Sequence, residues 1–212
     1  GVVVCAAGGL PADLQKLWRT PREGGYHLEY GYSTMGYEIA GGLGVKLAEP
    51  EAEVYVMVGD GAYLMLSAEI ATSVQEGQKL TIVLLDNHGF QCIKNLSDVC
   101  GGDNPFNRFR MREPATGRLT GEFLPIDFGA NAASLGADVL MAHSPAALEA
   151  ALAEAHGHAR TTVIVTEIDP SVGVPGYDSW WDVPVAEVST SEHVRNARRT
   201  YEAHVAEERH LV

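Results

Sequence analysis

Two side chains with oxygen donors follow two apolar runs in succession. Asp60 stands between Gly59 and Gly61 directly after Val54–Val58, and Asn87 follows the run Thr81–Leu85. A carboxylate and an amide oxygen are hard donors. They suit Mg²⁺, which binds at roughly 2.0–2.1 Å, takes one or two protein ligands and completes its octahedron with phosphate oxygens and water. Gly59 and Gly61 let backbone approach a phosphate, and Ala62 is too small to obstruct it. The N–H groups that open a following helix would face the same anion. An isolated Gly-Asp-Gly is a tight turn, and Asp86-Asn87 alone is a loop start. The combination of strand, Gly-Asp-Gly, a helix carrying Glu69, a buried strand and then Asn87 is far more specific. Gly8-Gly9-Leu10-Pro11, between an apolar run and a helix start, is a second place for an anion.

Those residues need a frame that brings them to one edge. Val2–Ala6, Val54–Val58, Thr81–Leu85, Asp138–Met141 and Thr162–Ile168 read as strands, and the unbroken apolar run at 81–85 marks a strand buried on both faces. Between them the spacing predicts helices. One opens at Pro11 with Leu14, Leu17 and Trp18 on a face, and one spans Tyr37–Ala48 with Ile39, Leu43 and Leu47 in a stripe. A third carries Leu66, Ile70 and Val74 and closes at Gly77, and others cover Phe128–Leu135 and Pro145–His156. Residues 20–32 and 97–121 read as loops, the second long enough to be a lid. Alternating strands and helices predict an α/β fold, a doubly wound parallel sheet with helices on both faces. The right-handed crossover then sets Asp60 and Asn87 at the same end of the sheet, where ligands of such sheets bind. Residues 1–188 are expected to form this domain, and 189–212 a charged helical tail.

Composition narrows the partners. The 212 residues carry a net charge of −13 and are 46% hydrophobic. The acidity reads as solubility and argues against nucleic acid, whose phosphates want a basic face. No apolar run approaches the roughly 18 residues of a membrane span. A diphosphate here must be held by backbone N–H groups and a cation. Cys5, Cys92 and Cys100 show no metal spacing and no even framework, which predicts a reducing, cytoplasmic location. The chain opens at Gly1 without methionine or a basic leader, as expected of a fragment or a processed chain.

Gly59-Asp60-Gly61 followed by Asn87 resembles the cofactor motif of the thiamine-diphosphate enzymes, in particular their acetolactate-synthase-like branch. The resemblance implies the thiamine-diphosphate-binding fold. It makes Asp60 and Asn87 Mg²⁺ ligands through side-chain oxygens, with the Gly89 carbonyl as third protein ligand. Gly61 and Ala62 would meet the diphosphate, and Phe90 would lie beside the cofactor. Gly31-Tyr-Ser-Thr-Met-Gly-Tyr37 resembles the aminopyrimidine-receiving segment. Met35 would prop the cofactor into its bent shape, and the Ser33 carbonyl would accept from the 4′-amino group. Gly9 and Leu10 would touch the diphosphate through backbone, because Leu10-Pro11 replaces the Gln-His pair of the acetolactate synthases. The family's catalytic glutamate belongs to a pyrimidine-binding domain supplied by another subunit. Glu29, Glu38 and Glu69 lie in the wrong motifs for it. The chain thus reads as the last third of a longer enzyme, a homodimer or homotetramer at full length.

A finer resemblance, to the trihydroxycyclohexane-dione hydrolases of myo-inositol catabolism, runs nearly end to end. It rests on Ala7–Leu14 with Lys16–Trp18, His27–Tyr32 with Met35–Gly44, Asp86–Phe90 with Cys92-Ile93, and above all Gly173–Pro184 with its adjacent Trp180 and Trp181. It implies hydrolytic cleavage of a cyclic 1,2-diketone to 5-deoxy-glucuronate. His88 is a weak candidate general base, and a structural loop histidine is the plainer reading. Tyr177, Trp180 and Trp181 line a substrate pocket or pack the C-terminal segment. Three alternatives stand beside this. One is a carboligase or decarboxylase of the same branch acting on a 2-oxo acid. Another is a non-catalytic assembly domain. The third, a dinucleotide site at Gly41-Gly-Leu-Gly44, is disfavoured because that stretch falls inside a predicted helix.

Overall fold

The computed structural model describes residues 1–102, 105–176 and 180–209. In chain order these form β1 (Val2–Cys5), α1 (Gly9–Leu17), β2 (Tyr26–Leu28), α2 (Tyr37–Ala48), β3 (Val54–Gly59), α3 (Asp60–Leu66), α4 (Glu69–Gln75), β4 (Thr81–Asp86), α5 (Gln91–Val99), α6 (Phe128–Ser134), β5 (Asp138–Met141), α7 (Pro145–Gly157), β6 (Thr162–Glu167) and α8 (Glu192–Glu207). They fall into two compact units. The first comprises Gly1–Gly89 and Leu124–Gly173, the second Phe90–Phe123 and Val174–Val212. The sequence boundary at residue 188 falls inside the second unit.

The first unit holds the whole sheet. Six parallel strands run in the order β2-β1-β3-β4-β6-β5. The chain leaves β1 in one direction to β2 and returns on the other side of β1 as β3. The carboxyl ends of β1 and β3 therefore flank a switch point, where open α/β sheets bind ligands. Strand alternation separates the two faces. Val54, Val56, Val58, Ile82 and Leu84 pack with Ile39 and Leu43 of α2, Tyr63 of α3, Ile70 of α4 and Phe128 of α6. Val83 and Ile164 face the other way, onto Ala151 and Ala155 of α7. Each fully buried aliphatic of this kind contributes roughly 1.5–3 kcal/mol. Tyr63 is wholly buried, edge-on to Phe128 at 5.7 Å, and its hydroxyl donates to Asn131 Oδ1 at 2.8 Å.

The expected strands and the parallel, doubly wound sheet are present. Four local expectations change. Residues 20–32 are not all loop, since Tyr26–Leu28 pairs with β1 as a three-residue edge strand, too short for any periodicity. The helix expected through Leu66, Ile70 and Val74 is two helices. The amides of Ile70 and Ala71 bond back to the Ser67 and Ala68 carbonyls, the tighter i→i+3 pattern of a helix start. This turns Leu66 outward while Ile70 stays buried. Leu17 and Trp18, expected on a buried face of α1, are exposed, and Trp18 lies beyond the helix end. The start of the 97–121 loop is the end of α5.

In the second unit, Trp180 stacks on His204 of α8 at 5.4 Å, and Tyr201 donates to Asp182 Oδ1 at 2.9 Å. Trp180 thus packs the C-terminal segment onto α8. Trp181 is exposed, and Tyr177 lies outside the described residues.

Gly42 sets the approach of α2 to the sheet, because a Cβ there would lie 2.4 Å from Val56 Cγ2. Valine is stiff in a strand and cannot swing aside. Gly42→Ala should destabilise by about 1–3 kcal/mol through overpacking, even after its gain in helix propensity. Gly44 of the same helix meets nothing within 4 Å, and Gly44→Ala should stabilise by about 0.5–1 kcal/mol. Urea unfolding of both variants checks the pair. Equal effects of one sign would refute this account of α2 packing.

Candidate functional site

The carboxyl ends of β3 and β4 lie level, with Gly59 opposite Leu85. Asp60 is the first residue of α3 and is 1% exposed. Its carboxylate accepts from the Gly61 amide at 2.8 Å and, through Oδ2, from the Gly89 amide at 2.9 Å. The segment after β4 is bent to allow this. His88 (φ 59) and Gly89 (φ 151) both have left-handed backbone, and the His88 amide donates to Asp86 Oδ1 at 2.9 Å. The structure thus brings Asp60 and the Asn87-His88-Gly89 segment together. The Asn87 Oδ1 atom is buried there.

Asp86 is itself buried, at the carboxyl end of the strand beside the one that leads into Asp60. Burial first, and this second acid next, raise the Asp60 pKa well above the ordinary carboxylate range. Neighbouring buried carboxylates repel each other, and a divalent cation between them would relieve that repulsion. Among the described residues no three His, Cys, Asp or Glu side chains gather into a metal cage. The available donors are therefore few and hard: carboxylate, amide and main-chain oxygen. That set fits Mg²⁺, which keeps water and phosphate in its shell, better than a thiolate- or imidazole-seeking metal.

Space for an anion lies nearby. Cβ atoms built on Gly8, Gly9 or Gly59 would meet nothing within 4 Å. Gly9 and Leu10 open α1 after Gly8, whose φ of 112° only glycine adopts readily. Gly61 and Ala62 are buried at the head of α3. Met35 is half-buried and packs on the main core. Ser33 is exposed with a φ of 53°. Phe90 belongs to the second unit, edge-on to Phe109 at 5.5 Å.

His88 is held between two carboxyls, with Nε2 2.8 Å from Glu167 Oε1 and Nδ1 3.3 Å from Asp86 Oδ1. A cavity of about 250 Å³ opens beside them, lined by Asp86, Asp127, Phe128, His143 and Glu167 among others. Sequence reasoning gave no site role to Asp86, His143 or Glu167. Their one signal is position at or just beyond a strand's carboxyl end. Gly41–Gly44 lies within α2, so the strand-turn-helix of a dinucleotide site is not formed there.

A family model described as "Thiamine pyrophosphate enzyme, C-terminal TPP binding domain" matches residues 6–166. The chain is 48% identical over 198 residues to a 3D-(3,5/4)-trihydroxycyclohexane-1,2-dione hydrolase of Geobacillus thermodenitrificans, covering 93% of this chain and 31% of that protein. It is 47% identical over 196 residues to the enzyme of the same name from Clostridium botulinum, covering 92% and 30%. It therefore spans less than a third of the curated relatives it matches. Among solved structures, a thiamine diphosphate-dependent 4-hydroxybenzoylformate decarboxylase of Rhodococcus jostii RHA1 superposes with a TM-score of 0.65 at 19% identity, covering 81% of this chain and 30% of that one. That likeness establishes the shared fold. The chain belongs to the thiamine pyrophosphate enzymes, as their C-terminal cofactor-binding domain.

Proposed function

We propose that this chain supplies the diphosphate- and Mg²⁺-holding half of a thiamine-diphosphate enzyme that hydrolyses the ring C–C bond of 3D-(3,5/4)-trihydroxycyclohexane-1,2-dione. The observation that carries the site is the bond from the Gly89 amide to Asp60 Oδ2, which joins the two motif segments across adjacent strands. The substrate reading rests on identity of 46–48% to hydrolases of that name over 92–97% of the chain. Asp60 and Asn87 would hold Mg²⁺ by side-chain oxygens and Gly89 by its carbonyl. Gly9, Leu10, Gly61 and Ala62 would meet the diphosphate through backbone. The Ser33 carbonyl would orient the aminopyrimidine, Met35 would support its bend, and Phe90 would lie against the cofactor. When bound, thiamine diphosphate supplies a carbanion nucleophile and an electron sink for C–C cleavage. The acid that activates it would come from the pyrimidine-binding domain of another subunit in a homodimer or homotetramer. His88 is the candidate for moving a proton at the water or the product. The product would be 5-deoxy-glucuronate, within inositol catabolism in the cytoplasm.

Activity of the protein at its natural length toward the cyclic diketone, and none toward pyruvate, is the expected result. The reverse would favour a 2-oxo-acid carboligase or decarboxylase.

Asp60→Ala removes the only carboxylate of the proposed metal set. Mg²⁺-dependent thiamine diphosphate affinity should fall by at least about 100-fold, on the scale of breaking a buried charge pair. Asn87→Ala should weaken binding less, since water can replace a neutral ligand. Titration calorimetry measures both, and wild-type affinity in Asp60→Ala would remove the metal assignment.

Met35→Ala should leave the diphosphate anchors intact and lower kcat on the order of 100-fold, the scale set by misplacement of about 1 Å. A weakened cofactor Kd with unchanged kcat would show that Met35 serves affinity and not geometry.

A further inference from the structure

Ser33 carries a backbone strain that nothing in its packing explains. Its φ of 53° is left-handed, a conformation that costs a non-glycine residue about 1–3 kcal/mol and persists only where its surroundings enforce it. Tyr32, Ser33 and Thr34 are all exposed, Tyr32 at 92%. No buried apolar contact therefore holds the turn.

What holds it is a carboxylate. Glu29 Oε1 accepts from the Tyr32 amide at 3.1 Å, and Oε2 accepts from the Thr34 amide at 2.7 Å. The Thr34 N–H shares its peptide plane with the Ser33 carbonyl, and the Tyr32 N–H lies one peptide before Ser33, so one side chain spans the turn and fixes the plane that carries that carbonyl. Both bonds are charge-assisted, the stronger class. They also hold the Glu29 carboxyl below its usual pKa, the Thr34 bond first and the Tyr32 bond next. Glu29 is anchored in turn. It follows β2, where Leu28 pairs with Cys5, and its own amide reaches the Cys5 carbonyl at 3.4 Å. At the far end of the segment, the Gly36 amide donates to the buried Glu38 carboxylate at 2.9 Å. The five residues Tyr32–Gly36 are thus gripped by carboxylates at both ends. A turn with no task beyond reversing the chain would take glycine or asparagine at the left-handed position and need no grip.

We propose that Glu29 is a positioning residue for the aminopyrimidine: its carboxylate locks the Ser33 turn and so fixes the direction of the Ser33 carbonyl. The proposal rests on the reading that this carbonyl receives the 4′-amino group of the cofactor. It gives work to an acid whose motif excludes it from proton transfer to the cofactor. It also gives a purpose to the short strand β2, which sets Glu29 beside the end of β1.

The test compares thiamine diphosphate with its 4′-desamino analogue, each titrated with Mg²⁺ into the protein at its natural length. The wild type should prefer the amino form about tenfold, the scale of one well-made hydrogen bond. Glu29→Ala should lose most of that preference, and Glu29→Gln, which keeps one acceptor oxygen, should fall between. Affinity for inorganic diphosphate with Mg²⁺ and the thermal midpoint should stay at wild-type values in both variants, because the Glu29 side chain bonds the turn amides and its backbone bond to Cys5 survives the substitutions. A Glu29→Ala protein that retains the full preference overturns the proposal. So does one that loses diphosphate affinity or thermal stability in parallel, since Glu29 would then support the domain and not the turn. A wild type with no preference for the amino form overturns the Ser33 reading and the proposal with it.

Discussion

Two buried acids at the ends of neighbouring strands are the constraint around which the site is built. Asp60 and Asp86 are 1% and 9% exposed. Burying a carboxylate away from water is unfavourable unless hydrogen bonds or a cation compensate. The chain meets this demand with backbone: the amides of Gly61 and Gly89 turn onto Asp60, and that of His88 turns onto Asp86. The loop after β4 takes its left-handed bend from that requirement. Gly89 is consequently placed against Asp60, two residues beyond Asn87. What remains is the charge of the pair, which the proposed divalent cation with its diphosphate would match.

The same device recurs along the carboxyl edge of the sheet. Left-handed residues follow β1 at Gly8, β2 at Ser33 and Gly36, and β4 at His88 and Gly89. Glu29 and Glu38 hold the second group through amides, as Asp60 and Asp86 hold the third. Polar grips of this kind define backbone direction where apolar packing is absent, which is the situation at the mouth of a ligand site. An acidic protein thereby uses several carboxylates as internal clamps, beyond their role in solubility.

The opposite requirement governs the middle of the sheet. There Val56, Ile82, Leu84 and Ile164 are buried beneath helices, and the close approach of α2 depends on Gly42. A rigid, apolar centre and a polar, gripped edge divide the labour. The first keeps adjacent strand ends level, and the second shapes the segments that extend beyond them.

The strands β1, β3, β4, β5 and β6, the helices α2, α6 and α7, and the parallel doubly wound sheet were legible in the sequence, because apolar periodicity is a local property and each of these elements shows its own. The edge on which Asp60 and Asn87 emerge was also legible, since the right-handed crossover leaves one choice. Residue identities alone further pointed to a thiamine-diphosphate domain. Only the tertiary structure decided the rest. Strand β2 exists because the free edge of β1 offers Tyr26–Leu28 a partner. The break between α3 and α4 and the exposure of Leu17 and Trp18 depend on what packs against them. The bonds of Gly89 to Asp60 and of His88 to Glu167 join residues far apart in sequence. Glu29 lies close to Ser33 in the chain, yet its grip depends on a turn that no propensity scale assigns to Tyr-Ser-Thr. Local pattern determines which elements form; contacts between distant elements, and side chains closing on strained backbone, determine the site.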